Sequence, residues 1–218
     1  MKHKDSTRFA RLALGTFASS LVVGAIATAT LLPAENPLGG EAHASWISTS
    51  QTIAEQVMEA DAVVRVQVLG QAAPRLLWHP TPEGAKSGTF AFTDSAVEVL
   101  EVYNGRLEVG DRAEVMQTGG DLLTLEGGVS RMELAEDPLY AVGSELVLFL
   151  VDISDDPVHG RKGSLFRTTN PAGRYDVFGG LVSQKAFGDL TRKAETDLGA
   201  LEAEIELAIR SRDQLEAF

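Results

Sequence analysis

The chain contains no cysteine. That excludes disulfide staples, cysteine–zinc sites, thiol nucleophiles and lipid attachment through a lipobox cysteine. Histidine is scarce: of four, only His79 and His159 lie beyond the first 44 residues. Neither belongs to an H-x-x-x-H or HExxH pattern, so zinc hydrolysis lacks ligands at a useful spacing. Aromatic residues make up 6% of the chain, and only Trp46 and Trp78 are tryptophan. Positive charge is short as well, with 19 Lys+Arg against 31 Asp+Glu and a net charge of −12. Nucleic acid needs a basic surface, so this balance argues against such a partner. There is no G-x-S-x-G elbow, P-loop or dinucleotide fingerprint. The glycine pairs at 119–120, 127–128 and 179–180 read as turns rather than phosphate cradles. No cofactor is implied.

What is present begins with an N-terminus unlike the rest. Lys2, Lys4, Arg8 and Arg11 form a basic start, and Leu12 to Leu32 is an uncharged run of 21 residues. Pro33, Pro37, Gly39 and Gly40 then break any helix, and Ala42-His43-Ala44 places small residues at −3 and −1 of a cut before Ser45. This is the three-part layout of a secretory signal peptide, expected over residues 1–44. The rival reading is a retained membrane anchor, because 21 residues span about 30 Å as a helix. In both readings residues 45–218 lie outside the cytoplasm, secreted or in the cell envelope. The 174 residues left after cleavage carry 15 Lys+Arg and 28 Asp+Glu, a balance of −13. A chain of that length buries enough surface to fold without staples.

Beyond Ser45 the pattern changes from helix to strands. Ser48 and Gln51 have capping-box spacing, and Ile53, Val57 and Ala60 form one face of a short helix. Residues 62–69 read as a strand, and 71–88, punctuated by Pro74, Pro80, Pro82, Gly84 and Gly88, as a loop. Strands follow at 89–93 and 96–103, with a shift of parity near Leu100 that predicts a bulge. Asn104-Gly105 and Gly110-Asp111 are turns around it, and Gly119-Gly120 ends a strand at 112–118. A weaker strand covers 129–134. Residues 145–151 are nearly all apolar, as expected of a strand buried on both faces. A short strand at 165–168 and a hairpin over 173–183 complete the series. Leu190, Ala194, Leu198, Leu201, Ile205 and Ile209 then make one apolar stripe on a helix of about 23 residues. Many short strands, two flanking helices and no βαβ alternation predict a mainly β chain, a small antiparallel barrel or sandwich.

The order of elements also resembles a known group. Ile53-Ala54-Glu55-Gln56-Val57 followed by Ala60-Asp61-Ala62-Val63-Val64 resembles the opening of exported bacterial proteins of uncharacterised function. Val97 to Gly105, Gly110-Asp111 and Gly119-Gly120 resemble their middle, and Gly143-Ser144-Glu145, Gly173-Arg174-Tyr175 and Gly179-Gly180 their end. The layout is similar to the netrin-like or metalloproteinase-inhibitor-like branch of OB-type barrels over roughly residues 48–185. The resemblance implies an OB-like barrel, expected at 45–187; the apolar stripe separately reads as a C-terminal helix, 188–218, docked on it, with a coiled-coil seam as the alternative. It carries no inhibitory mechanism, because such inhibitors use an N-terminal cysteine and this chain starts its expected mature form at Ser45-Trp46.

Candidate chemistry is sparse, and no catalytic, cofactor or metal residue is assigned. Asp152, Asp155, Asp156 and His159 cluster within eight residues and invite a hard cation, but they equally serve as turn formers. A carboxylate pair for glycoside-type hydrolysis is compatible with so acidic a chain and invisible in sequence. Trp46 and Trp78 are candidates for a ligand platform. The reading that follows is a non-enzymatic exported binding module, monomeric, with an extracytoplasmic protein or glycan partner. Loops 71–88 and 152–164 would carry the contacts. A hydrolase and a structural envelope protein are the alternatives.

Overall fold

The computed structural model describes residues 52–79, 88–123, 127–134, 137–159, 164–184 and 196–217. The expected signal peptide and its cleavage site lie outside the described residues, as do Ser48 and Gln51. Among the described residues no helix is long and apolar enough to cross a membrane.

Helix α1, Ile53–Glu59, opens with a capping box at Thr52 and Glu55. The Glu55 amide donates to Thr52 Oγ1 at 3.2 Å, and the Thr52 amide donates to Glu55 Oε2 at 3.0 Å. The expected stripe is real: Ile53, Val57 and Ala60 are buried. The run Ala62-Val63-Val64 then favours strand, since β-branched side chains suit a pleated surface. Strand β1, Ala62–Gln71, follows.

The segment read as an unbroken loop contains a strand, β2 (Arg75–His79), which continues the β1 ladder past a kink at 72–74. Its partner is one long strand, β3 (Gly88–Asn104), rather than two. Arg65 faces Glu101 and Val66 faces Val99, so Leu100 has no opposite number and forms the expected bulge. Gly105 turns the chain at φ +105°, where a Cβ would lie 2.6 Å from the Asp61 carbonyl oxygen, so only glycine fits.

Strand β4 (Arg112–Leu123) is longer than expected, because Gly119-Gly120 bends the strand instead of ending it. Up to Thr118 it pairs with β3; from Gly119 it pairs with β5 (Val129–Glu133). Both glycines have positive φ, and a Cβ on Gly120 would meet Pro74 at 2.6 Å. Strands β6 (Glu145–Asp152) and β7 (Leu165–Thr168) come next, then β8 (Arg174–Phe178) and β9 (Leu181–Gln184) as the expected hairpin. A two-residue strand β10, Thr196–Asp197, pairs with β9 and leads into helix α2, Leu198–Glu216.

The pairing path β1-β3-β4-β7-β6 returns to β1, because β1 pairs with both β3 and β6. All its pairs are antiparallel except β4–β7, which is parallel at Glu114↔Leu165 and Val115↔Phe166. The two faces of β6 explain why it is apolar throughout. Leu146, Leu148 and Leu150 join the main core with Val64, Val66 and Val97. Val147 and Phe149 face a second core built by α1, α2 and the β8–β9 hairpin.

Helix α2 begins at Leu198, later than the stripe implied; Leu190 and Ala194 lie outside the described residues. Asp197 caps it by accepting from the Gly199 amide at 3.0 Å, and the Leu198 amide donates to the Gly180 carbonyl at 2.9 Å. Leu201 and Ile205 are buried in the second core, so the helix docks on its own chain. Tyr103 Oη donates to Glu202 at 2.8 Å and Arg212 donates to Asn104 Oδ1 at 3.0 Å, tying both ends of the helix to β3.

Candidate functional site

The connection after β1 and the one between β6 and β7 leave the sheet at opposite ends. Residues 153–159 of the second meet Arg75 of the first over Phe92 of β3 and Met116 of β4. One side chain joins them. Arg75 Nε donates to Asp94 Oδ2 at 3.0 Å and Nη2 to Asp94 Oδ1 at 3.3 Å. Arg75 Nη1 donates to the His159 carbonyl at 3.0 Å, and Nη2 also approaches Met116 Sδ at 3.3 Å. The planar guanidinium fork suits this task, since it bonds a carboxylate on one edge and reaches elsewhere with another N–H. Asp94 is only 2% exposed, so the pair is anchored in the sheet.

Around this tie lies a small apolar floor of Phe92, Met116, Ile153 and Leu165. The His159 ring packs edge-on against Phe92, with centroids 5.3 Å apart. Asp156 Oδ1 accepts from the Val158 amide at 2.8 Å and the His159 amide at 2.7 Å, and meets His159 Nδ1 at 3.0 Å. Partial burial pushes the Asp156 carboxyl up, but these bonds and the His159 ring outweigh it and hold it below the ordinary range. The loop therefore presents a fixed shape, with Val158 38% exposed beside the tie, while Leu76, 57% exposed, points to the opposite face of β2 from Arg75.

The residues singled out for a cation do not converge. Asp156 forms a turn, while Asp152 accepts from the Ser154 amide at 2.9 Å and pairs with Arg106. Asp155 is exposed. Among the described residues no three His, Asp or Glu side chains are grouped to hold a metal ion. Trp46 and the side chains of Trp78 and His79 lie outside the described residues.

A cavity of about 220 Å³ at the C-terminal end of β6 is lined by Asp61, Arg106, Asp152 and Phe166. Its two carboxylates are the nearest thing to a hydrolytic pair. A glycosidase acid needs a raised pKa. Asp152 goes the other way: partial burial raises it, but bonds from Ser154 and the Arg106 charge outweigh that and lower it. Asp61 is already engaged, accepting from the Asp152 amide at 2.8 Å. The arrangement suits a structural clamp between β1 and β6.

Two buried polar groups serve the scaffold. Gln56 Nε2 donates to Asn170 Oδ1 at 3.2 Å, and the Thr169 hydroxyl bonds to Gln56 Oε1, which locks α1 to the turn before β8. Arg174 stacks on the Tyr140 ring at 4.7 Å while donating to Asp176 at 2.8 Å and to the Pro138 carbonyl at 2.6 Å. Together they hold Tyr140 as a plug in the main core.

Sequence reasoning named segments 71–88 and 152–164 as expected contact loops and did not single out Arg75, Asp94, Phe92 or Met116. A signal existed for Asp94: it is the one charge in the run Phe90-Ala91-Phe92-Thr93-Asp94-Ser95-Ala96-Val97. A charge inside a strand-like run is buried only when paired. No protein-family model and no curated protein matches this chain.

Proposed function

We propose that the protein is an exported, non-enzymatic binding module built on an OB-type barrel. Its contact surface is formed by residues 72–77 and 153–159 over β3 and β4. The barrel reading is supported by the closed pairing order. Counting β1, β3, β4, β6 and β7 as five strands, the ring runs first-second-third-fifth-fourth with the third and fifth parallel. OB-type barrels bind ligands on their second and third strands, flanked by the first–second and fourth–fifth loops. Those are the two loops joined here by Arg75. That tie is the observation that carries the reading, because it holds two distant loops in one fixed surface, as a binding site requires. The surplus of acidic groups argues for a protein or glycan partner rather than nucleic acid. The secretory layout of residues 1–44 supports an extracytoplasmic location.

Affinity capture from envelope extract tests it. The wild-type protein is compared with Ala73→Glu and Val158→Glu, exposed positions on the two connections that Arg75 joins, and with Val142→Glu on the turn before β6. The partner should be lost with the first two and kept with the third. A partner captured equally by all four proteins would refute the assignment of the surface.

A further inference from the structure

A second cavity, of about 170 Å³, lies where α1, α2 and the β8–β9 hairpin meet, far in the pairing order from the loop surface. Ile53, Val182 and Leu201 give it apolar walls, and Tyr175, Gln184 and Glu204 give it polar atoms. Two of these side chains are buried, and Glu204 is exposed. Tyr175 is 6% exposed, and its hydroxyl forms no hydrogen bond with any described residue. Gln184, also 6% exposed, donates through Nε2 to the Ala172 carbonyl at 2.7 Å, and its Oε1 has no donor among the described residues. Glu204 makes no ion pair among the described residues, and no described Lys or Arg lines the cavity. Burial, with Glu204 nearby, pushes the Tyr175 hydroxyl up to about 12, so it remains a neutral hydroxyl at ordinary pH.

We propose that this cavity binds a primary alkylammonium group. A neutral tyrosine oxygen, an amide oxygen and a carboxylate can each accept, and an ammonium offers three donors and no acceptor. Its methylene stem fits against Ile53, Val182 and Leu201, as lysine stems do on apolar surface. An anion would face Glu204 with no cation among the described lining residues to offset it. The volume falls below the roughly 300–1,000 Å³ of drug-sized sites, so the ligand is small: a free short-chain amine, or the side chain of a lysine. The site is independent of the loop surface, and its failure would leave that reading untouched.

The test uses the protein recovered after export, titrated calorimetrically with n-butylammonium, and with n-butanol and butyrate as neutral and anionic shape controls. Butylammonium should bind with a Kd on the order of a millimolar, given the few atoms involved. Butanol and butyrate should bind at least about tenfold more weakly, the worth of one charge-assisted hydrogen bond. Glu204→Gln and Tyr175→Phe preserve shape and should each weaken binding by about tenfold on the same grounds. A Gly-Lys-Gly peptide with blocked ends separates the sources: binding as tight as butylammonium identifies a lysine side chain, and binding of butylammonium alone identifies a free amine. No butylammonium binding by a normally melting protein, equal binding of butanol, or unchanged affinity in Glu204→Gln would each overturn the proposal.

Discussion

Replacing Arg75 by Met keeps the length of the stem and removes the fork. Four contacts vanish at once: the two to Asp94 at 3.0 and 3.3 Å, the one to the His159 carbonyl at 3.0 Å and the one to Met116 Sδ at 3.3 Å. Breaking a buried ion pair by deleting one partner costs about 3–5 kcal/mol. Here the Arg75 side chain is 24% exposed, so water screens part of the interaction, and about 2–3 kcal/mol is expected. For a domain of this size each kcal/mol moves Tm by about 2–4 °C, so the variant should melt about 4–12 °C lower. Asp94→Asn alone should destabilise too, and the double variant should lose less than the two singles combined, with a coupling of about 1–2 kcal/mol. Urea denaturation of the four proteins yields the cycle. Hydrogen exchange should show residues 75–79 and 156–159 loosening together in Arg75→Met, while β6 stays protected. Unchanged melting, zero coupling, or loosening of only one loop would refute the tie.

Four further outcomes follow from the same framework. Leu148, fully buried in the main core, should not accept a charge: Leu148→Asp should leave the domain unfolded by circular dichroism, and a soluble, normally melting variant would contradict its placement. Asp156 is held below the ordinary carboxylate range in the folded state, so its contribution is full above about pH 4 and fades as pH falls through its native value. Asp156→Asn should therefore narrow its stability deficit against wild type as pH falls from about 5 to about 2, and a deficit independent of pH would oppose this. Removing residues 198–218 uncovers Val57, Tyr175 and Val182, and should lower Tm without changing a monomeric sedimentation value; a dimer that truncation turns into a monomer would make α2 an assembly element. Mass spectrometry of exported protein should find Ser45 at its N-terminus, and an intact residue 12–32 segment would favour the anchor.

How far the sequence carried depended on which physics was local. The β6 run, the Asn104-Gly105 turn and the bulge at Leu100 were legible because hydrophobic period and glycine act within a few residues. Gly119-Gly120 misled for a physical reason. Glycine pairs usually end strands, but here positive φ lets β4 pass from β3 to β5 under Pro74, a contact no local pattern encodes. β2 was hidden because Pro74 and Pro80 bracket only five residues. The α1 cap was placed one box too early, since Ser48-Gln51 and Thr52-Glu55 have the same spacing and only the second is joined to the buried stripe. The 152–164 segment was legible as a loop up to the short strand that follows it, whereas 71–88 hid β2; the Arg75–Asp94 tie was not legible, because its partners are 19 residues apart and meet only after β3 pairs with β2.

The measurement that bears most directly on the central claim is site-specific photo-crosslinking in envelope extract. A photoreactive side chain is placed in turn at Ala73, Val158, Val142 and Phe178, all exposed. The account predicts that one and the same partner is trapped from Ala73 and from Val158, and not from Val142 or Phe178. It also predicts that Arg75→Met abolishes both adducts together. Adducts that form only at Val142 or Phe178, or two different partners trapped at Ala73 and Val158, would contradict it.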